Sequence, residues 1–123
     1  MKITTFNPLI VTKDAAPVIK LFEELGFEKH HVKEEIGEDN AMDIRMKDAE
    51  GHCLDITQGT GEWTMIRVNV DDLEEAVALL EEHGFHKARH EVANKKIETN
   101  SSKINIMVSP TGVILSVSQH ITD

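Results

Sequence analysis

The feature that most constrains the fold of this chain is an internal repeat. The segment LFEELGFEK at 21–29 matches LLEEHGFHK at 79–87, an offset of 58 residues. Further along, DAEGHCLDI at 48–56 matches SPTGVILSV at 109–117, an offset of 61 residues. Two matched blocks in the same order indicate a duplicated module, because self-similarity along a chain is the mark of one supersecondary unit used again. The change of offset predicts an insertion in the loop around 93–101 of the second copy.

Each copy has the pattern of a β-α-β-β-β module. Asp14 and Asp72 are predicted helix N-caps, and Glu75 would complete a capping box with Asp72. Apolar residues recur at helical spacing up to Gly26 and Gly84, where left-handed C-caps are expected. Strand-like segments flank the helices at 7–12, 27–33, 41–47 and 52–57, and again at 63–70, 85–92, 103–108 and 113–118. We therefore predict a single α+β domain at 1–123, with module one at about 5–58 and module two at about 63–118.

The composition restricts the partners that this chain can have. A formal net charge of −9 argues against nucleic acid and anionic membranes, because both require clustered cationic groups. No apolar run approaches the roughly 20 residues of a membrane helix, and the first residues lack the pattern of a signal peptide. The lone cysteine, Cys53, excludes an intramolecular disulfide and fits a reducing compartment. We expect a cytoplasmic protein that binds neither nucleic acid nor membrane.

The predicted strands have two different faces, because successive side chains alternate between the two sides of a sheet. One column is aliphatic and is predicted to lie under the helices: Ile10, Ile56, Val68 and Leu115. The other column mixes apolar and polar groups: Asn7, Leu9, Asp55, Met65, Arg67, Ile114 and Ser116. The mixed column is compatible with the wet side of an antiparallel sheet or with the concave wall of a cavity. These residues alone leave both interpretations open.

Four short segments carry a resemblance to a known superfamily. They are VTKD at 11–14, LGF at 25–27, VNVDD at 68–72 and SPTG at 109–112. Together with the paired modules, they resemble the glyoxalase/bleomycin-resistance/extradiol-dioxygenase superfamily, also called vicinal oxygen chelate proteins, over nearly the whole chain. The resemblance implies that the two modules form a half-barrel cavity and that the protein assembles as a homodimer. It implies little about the reaction.

The same resemblance points to four positions at which metal enzymes of this superfamily place their ligands. These positions lie on the first and last strands of each module and are occupied here by Asn7, Asp55, Met65 and Ser116. Divalent transition ions prefer imidazole and carboxylate donors and use three or more protein ligands. Only Asp55 meets that preference. The metal-ligand set is therefore mostly missing, and we predict no metal and no other cofactor.

Other polar residues offer weaker alternatives. Five histidines lie near the helix-to-strand regions and would be the candidates for a relocated metal site, although exposed histidines are the simpler interpretation: His30, His31, His83, His86 and His90. Asp43 and Arg45 alternate on one strand and would form an exposed cross-strand pair of little energetic weight. Cys53 has no identifiable histidine neighbour, so no catalytic residue is assigned.

The predicted function is the binding of a small molecule in a cavity between the modules. The expected ligand contacts are Asn7, Asp55, Met65, Arg67 and Ser116, since such sites combine apolar surface with a few polar anchors. One alternative is a glyoxalase-like lyase or isomerase acting on a small oxygenated metabolite, for which metal content would be diagnostic. A second alternative is a non-catalytic dimerisation or interaction domain.

Overall fold

The computed structural model describes residues 1–34, 42–88 and 102–120. Within these ranges, the chain contains a mixed sheet of eight strands and two helices, and the order β-α-β-β-β occurs twice. This confirms the predicted α+β class and module order. The elements are β1 (Ile3–Thr12), α1 (Ala16–Glu24), β2 (Glu28–Glu34), β3 (Met42–Lys47), β4 (Cys53–Gln58), β5 (Trp63–Val70), α2 (Leu73–Glu82), β6 (His86–Lys87), β7 (Ser102–Val108) and β8 (Ile114–His120).

Apart from shifts of one or two residues at strand ends, the predicted elements differ from the structure at three places. Strand β1 begins at Ile3, four residues before the predicted start. The strand predicted at 85–92 is described only at His86–Lys87, and its last four residues lie outside the described ranges. Asp14 is not the N-cap of α1, because Ala15 takes that position, and the Asp14 carboxylate instead accepts a hydrogen bond from the Ala16 backbone N–H at 3.3 Å.

The chain divides into two compact units. The first unit is Asn7–Thr64, and the second unit combines Met1–Phe6 with Met65–Asp123. In the first unit the strands lie in the order β2-β3-β4-β1, with β1 and β4 parallel and the other pairs antiparallel. In the second unit the order β6-β7-β8-β5 repeats this arrangement, again with one parallel pair, β5 and β8. The two copies of the sequence repeat therefore form the same topology.

Each unit has its own apolar core under its helix. In the first unit Ile44, Met46, Leu54 and Ile56 are buried with Ile19 of α1, and Ile10 packs against them. In the second unit the buried core comprises Val68, Val70, Leu73, Ala76, Met107 and Val117, with Leu115 packed against it. The aliphatic column predicted from strand alternation therefore lies under the helices, as expected.

The two helices end in the same way. Gly26 and Gly84 have φ values of +105° and +90°, which glycine adopts without the steric cost of a Cβ. The following N–H groups of Phe27 and Phe85 reach back to carbonyls five residues earlier, at 2.9 Å and 3.0 Å. Both predicted left-handed C-caps are confirmed. The N-cap prediction for α2 is confirmed as well, because the Asp72 carboxylate accepts from the Glu75 N–H at 3.1 Å.

In each unit, one glutamine of the last strand forms a hydrogen bond to the start of the helix. Gln58 Oε1 accepts a hydrogen bond from the Ala15 backbone N–H at 2.9 Å, and Gln119 Oε1 accepts from the Leu73 N–H at 2.8 Å. These residues occupy matched positions of the repeat. The first N–H groups of a helix have no acceptor within the helix. Each glutamine side chain therefore provides an acceptor for an N–H group that would otherwise have none.

Replacing Gln58 or Gln119 with alanine is expected to lower the free energy of unfolding by about 1–2 kcal/mol, because a part-buried backbone donor then loses its acceptor. Urea denaturation measures this. Glutamate at the same position keeps an acceptor oxygen and is expected to retain most of the stability. An alanine variant within about 0.5 kcal/mol of the wild type, the range of ordinary surface changes, would contradict the role of the amide.

Candidate functional site

In the first unit, one row of polar side chains crosses three neighbouring strands on the side away from α1. Ile44 and Met46 lie in the core under the helix, so Arg45 between them faces the opposite side of the sheet. Asp55 alternates in the same way with the buried Leu54 and Ile56. The strand register places Arg45 directly opposite Asp55, and Leu9 of β1 lies opposite Asp55 on its other side. We call this side the helix-free face of the first unit.

A bidentate ion pair lies at the centre of this face. Arg45 Nε donates to Asp55 Oδ1 at 2.8 Å, and Arg45 Nη2 donates to Asp55 Oδ2 at 2.9 Å. Arg45 Nη2 also donates to Asn7 Oδ1 at 3.4 Å, while Asn7 Nδ2 donates to the Pro8 carbonyl at 2.9 Å. Asp55 is 1% exposed and Asn7 is 4% exposed, whereas the Arg45 side chain keeps 28% of its surface. The carboxylate is thus sheltered, and part of the guanidinium is open.

The electrostatics of Arg45 follow from this pairing. Its hydrogen bonds to Asp55 raise the pKa of the guanidinium, an effect that partial burial opposes and that the negative charge of Asp55 reinforces. Arg45 is therefore a fixed cation at every physiological pH. Two parallel N–H···O bonds to a carboxylate also fix the plane of the guanidinium, so the group has a defined orientation.

The matched positions of the second unit have different chemistry. Met65 and Ser116 are 5% and 2% exposed, and Ile106 stands opposite Ser116 where Arg45 stands opposite Asp55 in the first unit. Arg67 is half-buried and pairs in register with Ser116, and the Ser118 hydroxyl donates to Asn69 Oδ1. The ion pair is consequently a property of the first unit alone among these matched positions.

The five residues predicted from the sequence as ligand contacts fall into two groups. Asn7 and Asp55 lie side by side on the helix-free face of the first unit, while Met65, Arg67 and Ser116 lie on adjacent strands of the second. The predicted Asp43–Arg45 pairing is wrong, because Arg45 forms its ion pair with Asp55 and Asp43 accepts from Thr57 Oγ1 at 3.1 Å. Arg45 was predicted only as half of an exposed pair, and its contacts with Asp55 and Asn7 were not predicted. Its alternation with Ile44 and Met46 was the available signal.

The side chains at the superfamily metal positions do not suit a divalent ion. Both oxygens of the Asp55 carboxylate are hydrogen-bonded to Arg45, and the Asn7 amide oxygen accepts from the same guanidinium. A cation at Asp55 would have to displace a guanidinium that is itself positively charged. In the second unit, Met65 and Ser116 offer a thioether and a hydroxyl, which are poor ligands for zinc, nickel, manganese or iron(II).

The histidines do not form a replacement centre within the described ranges. There, no three His, Cys, Asp or Glu side chains lie close enough together to hold a metal ion. The side chains of His31 and His90 lie outside the described part. His52 is engaged elsewhere, with Nδ1 at 2.7 Å from the Asp48 carboxylate in the turn between β3 and β4. This contact holds the pKa of Asp48 below its ordinary value.

The second unit also carries an open groove of about 660 Å³ beside α2. Its lining is polar and of mixed charge, and it contains none of the five predicted ligand contacts: Asp71, Asp72, Leu73, Glu74, Val77, Ala78, Glu81, Lys87, Lys103, Asn105 and Gln119. Among the described residues, no helix has the length and apolar character to cross a membrane.

Comparison with known proteins identifies the fold. No protein-family model matches the sequence, and no curated protein matches it. Among solved structures, a methylmalonyl-CoA epimerase is similar at 19% identity, with 94% of each chain covered and a TM-score of 0.61. A glyoxalase/bleomycin resistance protein/dioxygenase superfamily member from Vibrio splendidus 12B01 is similar at 17% identity, with 98% of this chain and 100% of that chain covered and a TM-score of 0.60. Glyoxalase I from Zea mays is similar at 14% identity and a TM-score of 0.68, with 98% of this chain covered.

These similarities define the class of protein by its fold. The chain has the vicinal oxygen chelate fold, which confirms the predicted resemblance. It covers 44% of the maize glyoxalase I chain, so it spans less than half the length of that enzyme. At these identities the likeness establishes architecture, and the chemistry has to be argued from this chain's own residues.

Proposed function

We propose that this protein binds a small molecule, without a bound divalent metal, through side chains, most of them polar, that face away from its helices. The proposed contacts are Asn7, Asp55, Met65, Arg67 and Ser116. The observation that supports the proposal is burial: Asn7, Leu9 and Asp55 are 4%, 3% and 1% exposed although they face away from α1.

A sheltered surface of this composition is what a ligand site requires. The outer side of an antiparallel sheet is ordinarily wet, and charged residues dominate it. Small-molecule sites instead combine apolar walls with a few polar groups that fix orientation. Leu9 supplies apolar surface opposite Asp55, and the buried Met65 supplies it on β5 of the second unit.

The two alternative functions are less well supported. A metal-dependent lyase or isomerase would need ligands that the engaged Asp55 carboxylate does not provide. A pure interaction domain gives no reason for burying an ion pair, since such pairs are often no more stabilising than apolar residues of similar volume. Homodimer assembly and a cytoplasmic location remain predictions from the sequence analysis.

A thermal-shift screen of EDTA-treated protein against small carboxylic acids, ketones and amides tests the proposal. At least one compound is expected to stabilise the protein, since a ligand at about 100 times its Kd adds about 2.7 kcal/mol. Arg67→Ala is expected to weaken this binding by roughly tenfold, the equivalent of about 1.4 kcal/mol, and to change ligand binding more than it lowers the melting temperature.

The matched control is Lys103→Ala, which removes the same charge from an exposed position of the same unit. It is expected to leave binding unchanged. If only protein loaded with zinc, nickel or manganese binds any compound, the proposal of a metal-independent site is wrong.

A further inference from the structure

We propose that the Arg45 guanidinium takes the place of the divalent metal of this fold and binds a carbonyl or carboxylate oxygen of the ligand through Nη1. The inference rests on the proposed small-molecule binding and deepens it by naming the recognition group and the chemistry that it selects.

Arg45 engages both oxygens of the Asp55 carboxylate. Asp55 is the one good ligand at the metal positions, and both of its oxygens are held by Arg45 at 2.8 Å and 2.9 Å. The carboxylate already has its cation, supplied by the chain itself. Within the described side chains, the positive charge offered to a ligand at this place comes from the guanidinium.

Arg45 has more N–H donors than its described partners use. A guanidinium has five N–H groups in a planar fork. Nε uses one N–H on Asp55, and Nη2 uses its two on Asp55 and Asn7. Among the described residues, none accepts a hydrogen bond from Nη1, and the side chain is 28% exposed. Within that part of the chain, two donors of fixed direction therefore remain for an acceptor from the ligand.

The two copies of the module differ at the three positions of this cluster. The second unit builds the same three strands with Met65, Ser116 and Ile106 at the positions of Asn7, Asp55 and Arg45. The fold therefore forms without an ion pair there. Because a buried ion pair is a costly way to stabilise a sheet, its presence in the first unit is best explained by the recognition of a ligand.

The chemistry of the pair defines the ligand. Arg45 and Asp55 together are electrically neutral, so the site does not demand a full negative charge. What it offers is a pair of strong, oriented N–H donors, which match a carbonyl oxygen or the two oxygens of a carboxylate. Carbonyl and carboxylate groups share an sp² oxygen, and a neutral and an anionic probe distinguish between these two groups.

The test uses the side-chain 15N–1H signals of the arginines in the full chain. N-methylacetamide serves as the neutral carbonyl probe and pyruvate as the oxo-acid probe. Titration with at least one of the two probes is expected to shift the Arg45 signal until the shift saturates. Arg45→Gln is expected to weaken the binding of that probe by roughly tenfold or more, the equivalent of about 1.4 kcal/mol. Lys20→Gln removes an exposed charge on α1 and is expected to leave probe binding unchanged. Arg45→Lys assigns the Arg45 signal, because that signal disappears in the variant. Since lysine keeps the positive charge, this variant also replaces Arg45→Gln if the glutamine variant fails to fold.

The outcomes separate this inference from the proposed function. Probe binding with unmoved Arg45 signals and an unchanged affinity in Arg45→Gln would overturn the role of Arg45 and leave metal-independent binding intact. If neither probe binds at a concentration of about 100 mM, well above the millimolar Kd of weak ligands, the role of Arg45 is also overturned. The wider compound screen then decides the proposed function. Selective broadening of the Arg45 signal by Mn²⁺, with tighter probe binding, would show that a metal displaces Arg45 and would overturn both.

Discussion

Replacing Arg45 with methionine is expected to lower the free energy of unfolding by about 3–5 kcal/mol, because it removes the bidentate guanidinium partner of the buried Asp55 carboxylate. The hydrogen bonds to both carboxylate oxygens and to Asn7 Oδ1 disappear together. Methionine keeps much of the apolar stem of arginine, so the loss reports on charge and hydrogen bonding more than on packing. Urea denaturation at neutral pH measures the change.

A double variant shows whether the ion pair as a whole stabilises the fold. Arg45→Ile combined with Asp55→Ser copies the residues of the second unit, Ile106 and Ser116, into the first. It is expected to recover most of the stability lost in Arg45→Met, since removing both charges leaves no unpaired carboxylate. Lys47→Met, on the same strand and face, is the control for a charge change and is expected to stay within about 0.5 kcal/mol of the wild type. A double variant as unstable as Arg45→Met would mean that the pair itself holds the sheet together.

The strand faces and module order followed from local sequence rules. Alternation placed Ile10, Ile56, Val68 and Leu115 under the helices, and they pack there. The rule works because a shift of one residue would turn a whole aliphatic column to water. The glycines after each helix were predictable for an equally local reason, since a positive φ favours glycine.

The features that sequence analysis missed depend on which strands become neighbours. The Arg45–Asp55 pair requires the antiparallel register of β3 and β4, which the turn between them sets. The superfamily metal positions lie on the first and last strands of each module, whereas Arg45 lies on β3, the strand between β2 and β4. The helix-capping role of Gln58 was missed in the same way, because its partner Ala15 lies 43 residues away in the chain.

The start of α1 shows how tertiary contacts override a local preference. Asp14 is a favourable N-cap residue by type, yet Ala15 takes the position and its N–H is satisfied by the Gln58 amide. In α2, Asp72 caps the helix itself and Gln119 binds the next residue, Leu73. The glutamine contact is common to both modules, whereas the aspartate cap operates in one.

The largest loss expected from a core change concerns Ile56, which is fully buried at the centre of β4. It stands opposite Ile10 on β1 and Ile44 on β3 and belongs to the core under α1. Ile56→Ala is expected to lower the free energy of unfolding by about 2–5 kcal/mol, the sum of the lost apolar transfer and the cavity that remains. Chemical denaturation measures the difference.

Cys53 provides the matched control on the same strand. It is half-buried and alternates to the helix-free face together with Asp55, so Cys53→Ala removes a small side chain that does not belong to the core cluster. A loss below about 1 kcal/mol is expected there, since changes away from the packed core are small. Equal losses at the two positions would mean that both faces of β4 are packed as core. The helix-free face would then have no room for a ligand, and the proposed site would fail with it.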